Sequence, residues 1–200
     1  MKIRRINLLA GPGVGKTNST ATIFAKLDRL GLNIEQVDEH VKSWAYEGKQ
    51  ITKYDQLYLF SKQIRKETIF LNNGANMIIT DSSPLLAVAY SIKYGANFQK
   101  ELINLYKSYE ADFPSIDIYL GRPDGEYAES GRYESKEEAQ KMDSLIKDIY
   151  FDMLKKSSLN YINDGHNICA TIALIKFKMG LEMNEKDKLG LKQAEIMERN

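Results

Sequence analysis

Ile3-Arg4-Arg5-Ile6-Asn7-Leu8-Leu9 runs straight into Ala10-Gly11-Pro12-Gly13-Val14-Gly15-Lys16-Thr17 near the start of this 200-residue chain. The first segment is short, mostly apolar and stopped by a glycine-rich turn, the pattern of a strand buried inside a sheet. The second matches the Walker A pattern with alanine in the leading position. Glycines at this spacing let backbone N–H groups turn inward around phosphate oxygens, and the helix that follows aims its positive end at them. Gly11, Gly13, Val14, Gly15, Lys16, Thr17 and Asn18 are therefore the expected nucleotide-binding residues. Lys16 would reach the β- and γ-phosphates, and the Thr17 hydroxyl would bind Mg²⁺. The competing reading, a glycine turn without function, is disfavoured by the position between a strand and a helix.

Beyond the loop, Ile23, Phe24, Leu27 and Leu30 recur at helical spacing and Gly31 closes that helix. Asn33 to Val37 reads as a second strand ending at Asp38-Glu39. A helical region follows from His40 to about Gly48, and a longer helix from about Lys53 carries Leu57, Phe60, Ile64 and Leu71 on one face. Met77 to Thr80 is a third strand, and Pro84 suits the first turn of the next helix. A helix from Phe98 to Tyr109 and a fourth strand from Ser115 to Leu120 come next. Ser135 and Glu138 then make a capping-box pattern before Met142, Leu145, Ile149 and Met153. Leu159 to Ile162 is a fifth strand, followed by a helix with Ile168, Ile172, Ile175 and Met179 inward. Alternation of this kind predicts an α/β fold: a three-layer sandwich over residues 1–180, its five-stranded parallel sheet covered by helices on both faces. Residues 181–200 are charged and weakly patterned, and read as a solvated, partly helical tail or as disorder.

Composition narrows the function classes. Lys plus Arg number 28 against 27 Asp plus Glu, so the near-neutral chain lacks the basic excess of a protein that binds nucleic acid by counterion release. Cys169 is the sole cysteine, which rules out an intrachain disulfide and a cysteine-based metal cluster. The apolar stretch after Lys2, Arg4 and Arg5 is too short for a signal-peptide core, and no later one could span a bilayer. A soluble, cytoplasmic protein with no membrane partner is expected, as monomer or homodimer.

In open α/β sheets, ligands gather at the carboxyl ends of strands. Asp81 ends the third strand, where a carboxylate can hold Mg²⁺; a helix N-cap is the alternative. Ser82 follows it, where a motor ATPase would place a water-activating glutamate, and this favours transfer to a bound acceptor. Asp38 and Glu39 end the second strand, and Glu39 could take the proton of an attacking hydroxyl or serve as a cap. Lys42 could pair with Glu39, touch a phosphate, or simply face solvent. Arg122 and Arg132 flank a polar loop with Asp124, Glu126 and Tyr127 between them. Closed over the site as a lid, such arginines would stabilise charge on the transferred phosphoryl group; left open, they would pair with the loop's own acids. Trp44, Tyr46 and Tyr127 could stack on an acceptor ring, with core packing equally open for Trp44. Asp164-Gly165 could meet adenine or merely turn the chain, and His40 and His166 suit caps or surface.

Taken in this order, these pieces resemble the small P-loop kinases of the nucleoside and nucleotide kinase superfamily. More narrowly they resemble the ATPase/kinase family that includes the ribosylnicotinamide kinase domain of NadR-type proteins and its bacteriophage-encoded relatives. The matching residues are Ala10 to Thr17, Asp38-Glu39-His40-Val41-Lys42, Ile78-Ile79-Thr80-Asp81-Ser82-Ser83-Pro84, and Gly131-Arg132-Tyr133 before Glu137-Glu138-Ala139, over about residues 1–179. The resemblance implies a kinase fold, ATP and Mg²⁺, with Glu39 or Asp81 near the acceptor hydroxyl and Arg122 and Arg132 near the phosphates. It leaves the acceptor open: a nucleoside, nucleotide or related small molecule first, DNA (a hydroxymethylpyrimidine base or a 5′ end) second. A guanine-specific switch would need an Asn-Lys-x-Asp base reader, which is absent. A motor ATPase and an inactive binding module are the remaining alternatives.

Overall fold

The computed structural model describes residues 2–124 and 133–198. Strand β1 (Arg5–Leu9) is buried along its whole length, as a strand must be when helices cover both sheet faces. Strands β2 (Ile34–Val37), β3 (Met77–Thr80), β4 (Ser115–Leu120) and β5 (Ser158–Ile162) join it in parallel, in the order β2-β3-β1-β4-β5. Pairing of β1 with β3 on one side and β4 on the other puts its carboxyl end at the centre of the sheet, where a ligand crevice forms.

The helices are α1 (Lys16–Asp28), α2 (Lys42–Tyr46), α3 (Asp55–Leu71), α4 (Pro84–Lys93), α5 (Gln99–Asp112), α6 (Lys136–Asp148), α7 (Ile168–Met179) and α8 (Glu185–Leu191), with α6 widening into a π-helical turn over Ile149–Met153. Side-chain alternation sorts them onto two faces. Ile6 and Leu8 of β1 and Ile116, Ile118 and Leu120 of β4 pack with Ile23 and Leu27 of α1 and Ala170 and Ile175 of α7. Leu9 and Tyr119 point the other way, onto Phe60 of α3, Leu85 of α4, Leu102 and Tyr106 of α5, and Met142 and Ile146 of α6. The Ser135–Glu138 capping box forms and opens α6.

Three expectations are corrected. The sheet has six strands, not five: β6 (Ala194–Glu198) pairs antiparallel with β5, Ser158 opposite Glu198 and Ile162 opposite Ala194. Residues 185–198 are thus part of the domain and not a solvated tail. Asn184 and Asp187 form a capping box that starts α8, and Lys176 of α7 pairs with Asp187. Gly190 permits the contact of α8 with α7, because a Cβ there would lie 3.1 Å from the Cys169 carbonyl oxygen and 3.3 Å from Ala173 Cβ. Third, the inward stripe of α3 is Gln56, Phe60, Gln63, Glu67 and Leu71, while Leu57 is 40% exposed. Among the described residues no helix is long and apolar enough to cross a membrane.

Candidate active site

Gly13 and Gly15 adopt left-handed backbone conformations, φ +85° and +89°, which turn the loop between β1 and α1 back on itself and which residues with a Cβ adopt only at a cost. Gly15 has a second reason to be glycine: a Cβ would lie 3.0 Å from His166 Nε2. Val14 is fully buried and anchors the loop against Gly165, where a Cβ would come within 2.9 Å of Val14 Cγ1. Ser19 Oγ donates to the Gly165 carbonyl at 3.2 Å, so the turn after β5 braces the cradle from behind. Asp164 caps that turn by accepting the His166 N–H at 2.9 Å, and does not line the cavity in front of the loop.

Lys16 curls over the loop, its Nζ donating to the Ala10 and Gly11 carbonyls at 2.9 Å each. Desolvation by burial, helped by the Arg122 charge, pushes the ammonium's pKa below the ordinary lysine value, against the opposing pull of Glu39, Asp81 and Asp143. A cation held at the mouth of this loop is a binding element for a polyanion, whose arrival would favour the charged form.

Thr17 Oγ1 donates to Asp81 Oδ2 at 2.6 Å, joining the start of α1 to the end of β3. Asp81 is only 4% exposed, and its Oδ1 has no hydrogen-bond partner. The cap of α4 is Ser83, so Asp81 is not spent on capping. An unpartnered buried carboxylate oxygen beside a hydroxyl suits a hard divalent cation, and Mg²⁺ typically takes one or two protein oxygens and completes its shell with substrate phosphates and water. Thr17 and Asp81 therefore fit Mg²⁺.

The cradle opens into a cavity of about 360 Å³ that also contains Glu39, Gln56, Gln63, Tyr90 and Tyr94. Thr80 Oγ1 donates to the Val37 carbonyl at 2.8 Å and receives Gln63 Nε2 at 3.1 Å. Gln63 Nε2 also donates to the buried Glu67 at 2.9 Å, which turns the amide oxygen to the open side. Gln56 is 2% exposed and makes no side-chain hydrogen bond with the described residues. Across the cavity, Tyr133 donates to the Lys49 carbonyl at 2.9 Å, and Glu134 pairs with Lys93 at 2.7 Å. Trp44 stacks on Tyr58 with centroids 5.8 Å apart and is nearly buried, so it packs, while Tyr46 lines the cavity rim.

The structure thus brings Gly13, Gly15, Lys16, Thr17, Asn18, Glu39 and Asp81 around one space. Arg122 does not line that space; it pairs with Asp143 of α6 at 2.7 Å. Arg132 and Tyr127 lie outside the described residues, as does the side chain of Lys42. The spacing of the chain gave no weight to Gln56, Gln63 or Asp143. The first two carried a usable signal, since polar residues seven apart flank Phe60 in the inward stripe of α3.

A domain model described as an AAA domain matches residues 5–165. The chain belongs to this AAA domain family. No curated protein matches the sequence. Among solved structures, a NadR protein in complex with NAD and AMP-PNP superposes with a TM-score of 0.66 at 15% identity, over 92% of this chain and 51% of that one. A NadR protein in complex with NR gives 0.68 at 15% identity, over 92% and 54%. Deoxyadenosine kinase from M. mycoides with bound dATP gives 0.55 at 20% identity, over 88% and 99%. The chain spans about half the length of the NadR chains, and at these identities the likeness is one of fold: this member of the family has the fold of P-loop kinases.

Proposed function

We propose that the protein is an ATP-dependent phosphotransferase that moves the γ-phosphoryl group to a hydroxyl or phosphate of a nucleoside, nucleotide or related small molecule. The observation that carries this reading is the continuity of one cavity, from the Lys16 and Thr17 cradle to a walled space lined by Glu39, Gln56 and Gln63. Simple hydrolysis has no use for such a chamber. The unengaged amide of Gln56 and the surrounding tyrosines suit a planar ring with hydrogen-bonding edges.

In this mechanism the loop amides and Lys16 hold the β- and γ-phosphates in line with the acceptor oxygen. Thr17 and Asp81 would hold Mg²⁺, which neutralises charge on the phosphates. The acceptor oxygen forms the new bond to the γ-phosphorus, the bond to the β–γ bridging oxygen breaks, and ADP leaves. The Glu39 carboxylate receives the hydroxyl proton.

Purified protein with Mg-ATP should phosphorylate at least one member of a panel of nucleosides, nucleotides and nicotinamide riboside, and Lys16→Ala should abolish it. A hydroxymethyluracil-containing DNA belongs in the same panel, and label confined to that DNA would move the acceptor to the polymer class. ATP hydrolysis indifferent to every acceptor would replace the reading with that of an ATPase.

A further inference from the structure

Asp143 lies two turns into α6, outside the cradle, the strand-end acids and the arginine loop. Its Oδ1 accepts the Gly11 N–H at 2.7 Å, at the head of the phosphate loop. Its Oδ2 accepts Arg122 Nε at 2.8 Å and lies 2.7 Å from Nη2. That Nη2 donates in turn to the Pro12 carbonyl at 3.0 Å. Loop amide, carboxylate, guanidinium and loop carbonyl close a ring. The Arg122 and Asp143 side chains are only 16% and 15% exposed, so these charge-assisted bonds form with little screening.

The approach is built in on both sides. A Cβ on Gly11 would lie 2.6 Å from Asp143 Oδ1 and 2.7 Å from the Ala139 carbonyl oxygen, so α6 reaches the loop only because residue 11 is glycine. Tyr119 Oη donates to the Asp143 carbonyl at 3.2 Å and fixes that turn of α6 to β4. Both charges also act on the Lys16 ammonium, in opposite directions.

We propose that Asp143 is a positioning residue for the donor nucleotide: it holds the mouth of the phosphate loop and the Arg122 guanidinium in one fixed arrangement, so triphosphate affinity depends on a carboxylate outside the cradle. This rests on the cradle being the ATP site. The sign of the effect is diagnostic. By Coulomb's law alone, deleting a negative charge near a polyanion strengthens binding, whereas loss of positioning weakens it.

The test is calorimetric titration of Mg-AMP-PNP into the wild type, Asp143→Asn, Asp143→Ala, Arg122→Ala and the double variant, well below each melting temperature. Asp143→Ala should bind about ten- to a hundredfold more weakly, the scale of one lost charge-assisted hydrogen bond. Asp143→Asn keeps an oxygen for the Gly11 N–H but not the charge for Arg122, and should lose less; it decides the matter if the alanine variant does not fold. The double variant should bind no more weakly than the worse single one, and in turnover the KM for ATP should rise while the acceptor KM stays. Wild-type or tighter affinity in the folded variants, or losses that simply add, overturns the proposal and leaves the ATP site standing. A wild type without affinity for the nucleotide removes both.

Discussion

Asp81→Asn should separate the cost of the site from its use. In the free protein, Asp81 Oδ2 receives the Thr17 hydroxyl at 2.6 Å while Oδ1 is buried without a partner. Leaving a buried polar group unsatisfied costs roughly 1–3 kcal/mol, and more when it is charged. An amide keeps the Thr17 bond and removes the charge, so the variant should equal or exceed the wild type in stability, by up to about 1 kcal/mol. In the Mg²⁺ complex the balance reverses. Loss of a direct charged contact to the cation should cost about 1.5–3 kcal/mol, a factor of about 10 to 150 in affinity for Mg-AMP-PNP. The assay is urea denaturation of the free proteins, with calorimetric titration of AMP-PNP in Mg²⁺ and in EDTA. With Mg²⁺ the variant should bind more weakly, and in EDTA, where the carboxylate only repels the phosphates, it should bind at least as tightly as the wild type. If the variant keeps the full gain in affinity on adding Mg²⁺, or loses as much in EDTA, Asp81 does not act through a cation and the reasoning fails.

Two further outcomes follow from other parts of the molecule. Glu39→Gln should lower kcat by about a hundred- to ten-thousandfold, the usual contribution of a general base, while leaving the dissociation constant of AMP-PNP unchanged; an undiminished kcat would show that another group takes the acceptor proton. Asp187→Asn tests the docking of α8. The hydrogen bond from Lys176, aided by the Asn184 N–H, holds the Asp187 carboxyl below its ordinary value of 3.8. A depressed carboxyl contributes stability above the unfolded pKa and loses it as pH falls through the folded one. The variant should therefore be destabilised by about 1 kcal/mol at pH 7, and the gap in urea midpoints should close as pH falls below the ordinary carboxyl value; a gap independent of pH would mean that charge is not what holds α8.

What the sequence shows of this site follows from distance along the chain. The cradle, Glu39 and Asp81 are local signals, each readable from the end of one strand and the turn after it. Five of the six strands are legible for a similar reason: each is a short run anchored by buried apolar residues, from Ile34 and Val37 in β2 to Met77, Ile78 and Ile79 in β3. Strand β6 is not, because an edge strand wet on one side and bounded by charged residues lacks that run; Ile196 there is 62% exposed. Asp143 meets Gly11 across 132 residues, and nothing local to either announces the contact.

The stripe of α3 is the more instructive case. Its apolar residues at Leu57, Phe60, Ile64 and Leu71 predict one inward face, yet the helix turns Gln56, Phe60, Gln63, Glu67 and Leu71 inward. Hydrophobic burial alone would choose the first set, since burying an amide without a partner costs free energy. The observed choice is sustained by pairing behind the cavity. Glu67 is fully buried, which raises its pKa, and it is held by Gln63, by Tyr109 Oη at 2.7 Å and by Arg5, 3.6 Å away in β1. Arg5 is anchored in turn to the Phe113 carbonyl at 2.7 Å and to Glu110. Each buried polar group on this helix therefore finds a partner until the chain of contacts reaches the cavity, where Gln63 keeps an amide oxygen and Gln56 a whole amide unengaged. Arg5 Nη1, at the far end of the network, stays buried without a hydrogen bond, whereas the amide groups of Gln56 and Gln63 face an open space where a ligand can satisfy them.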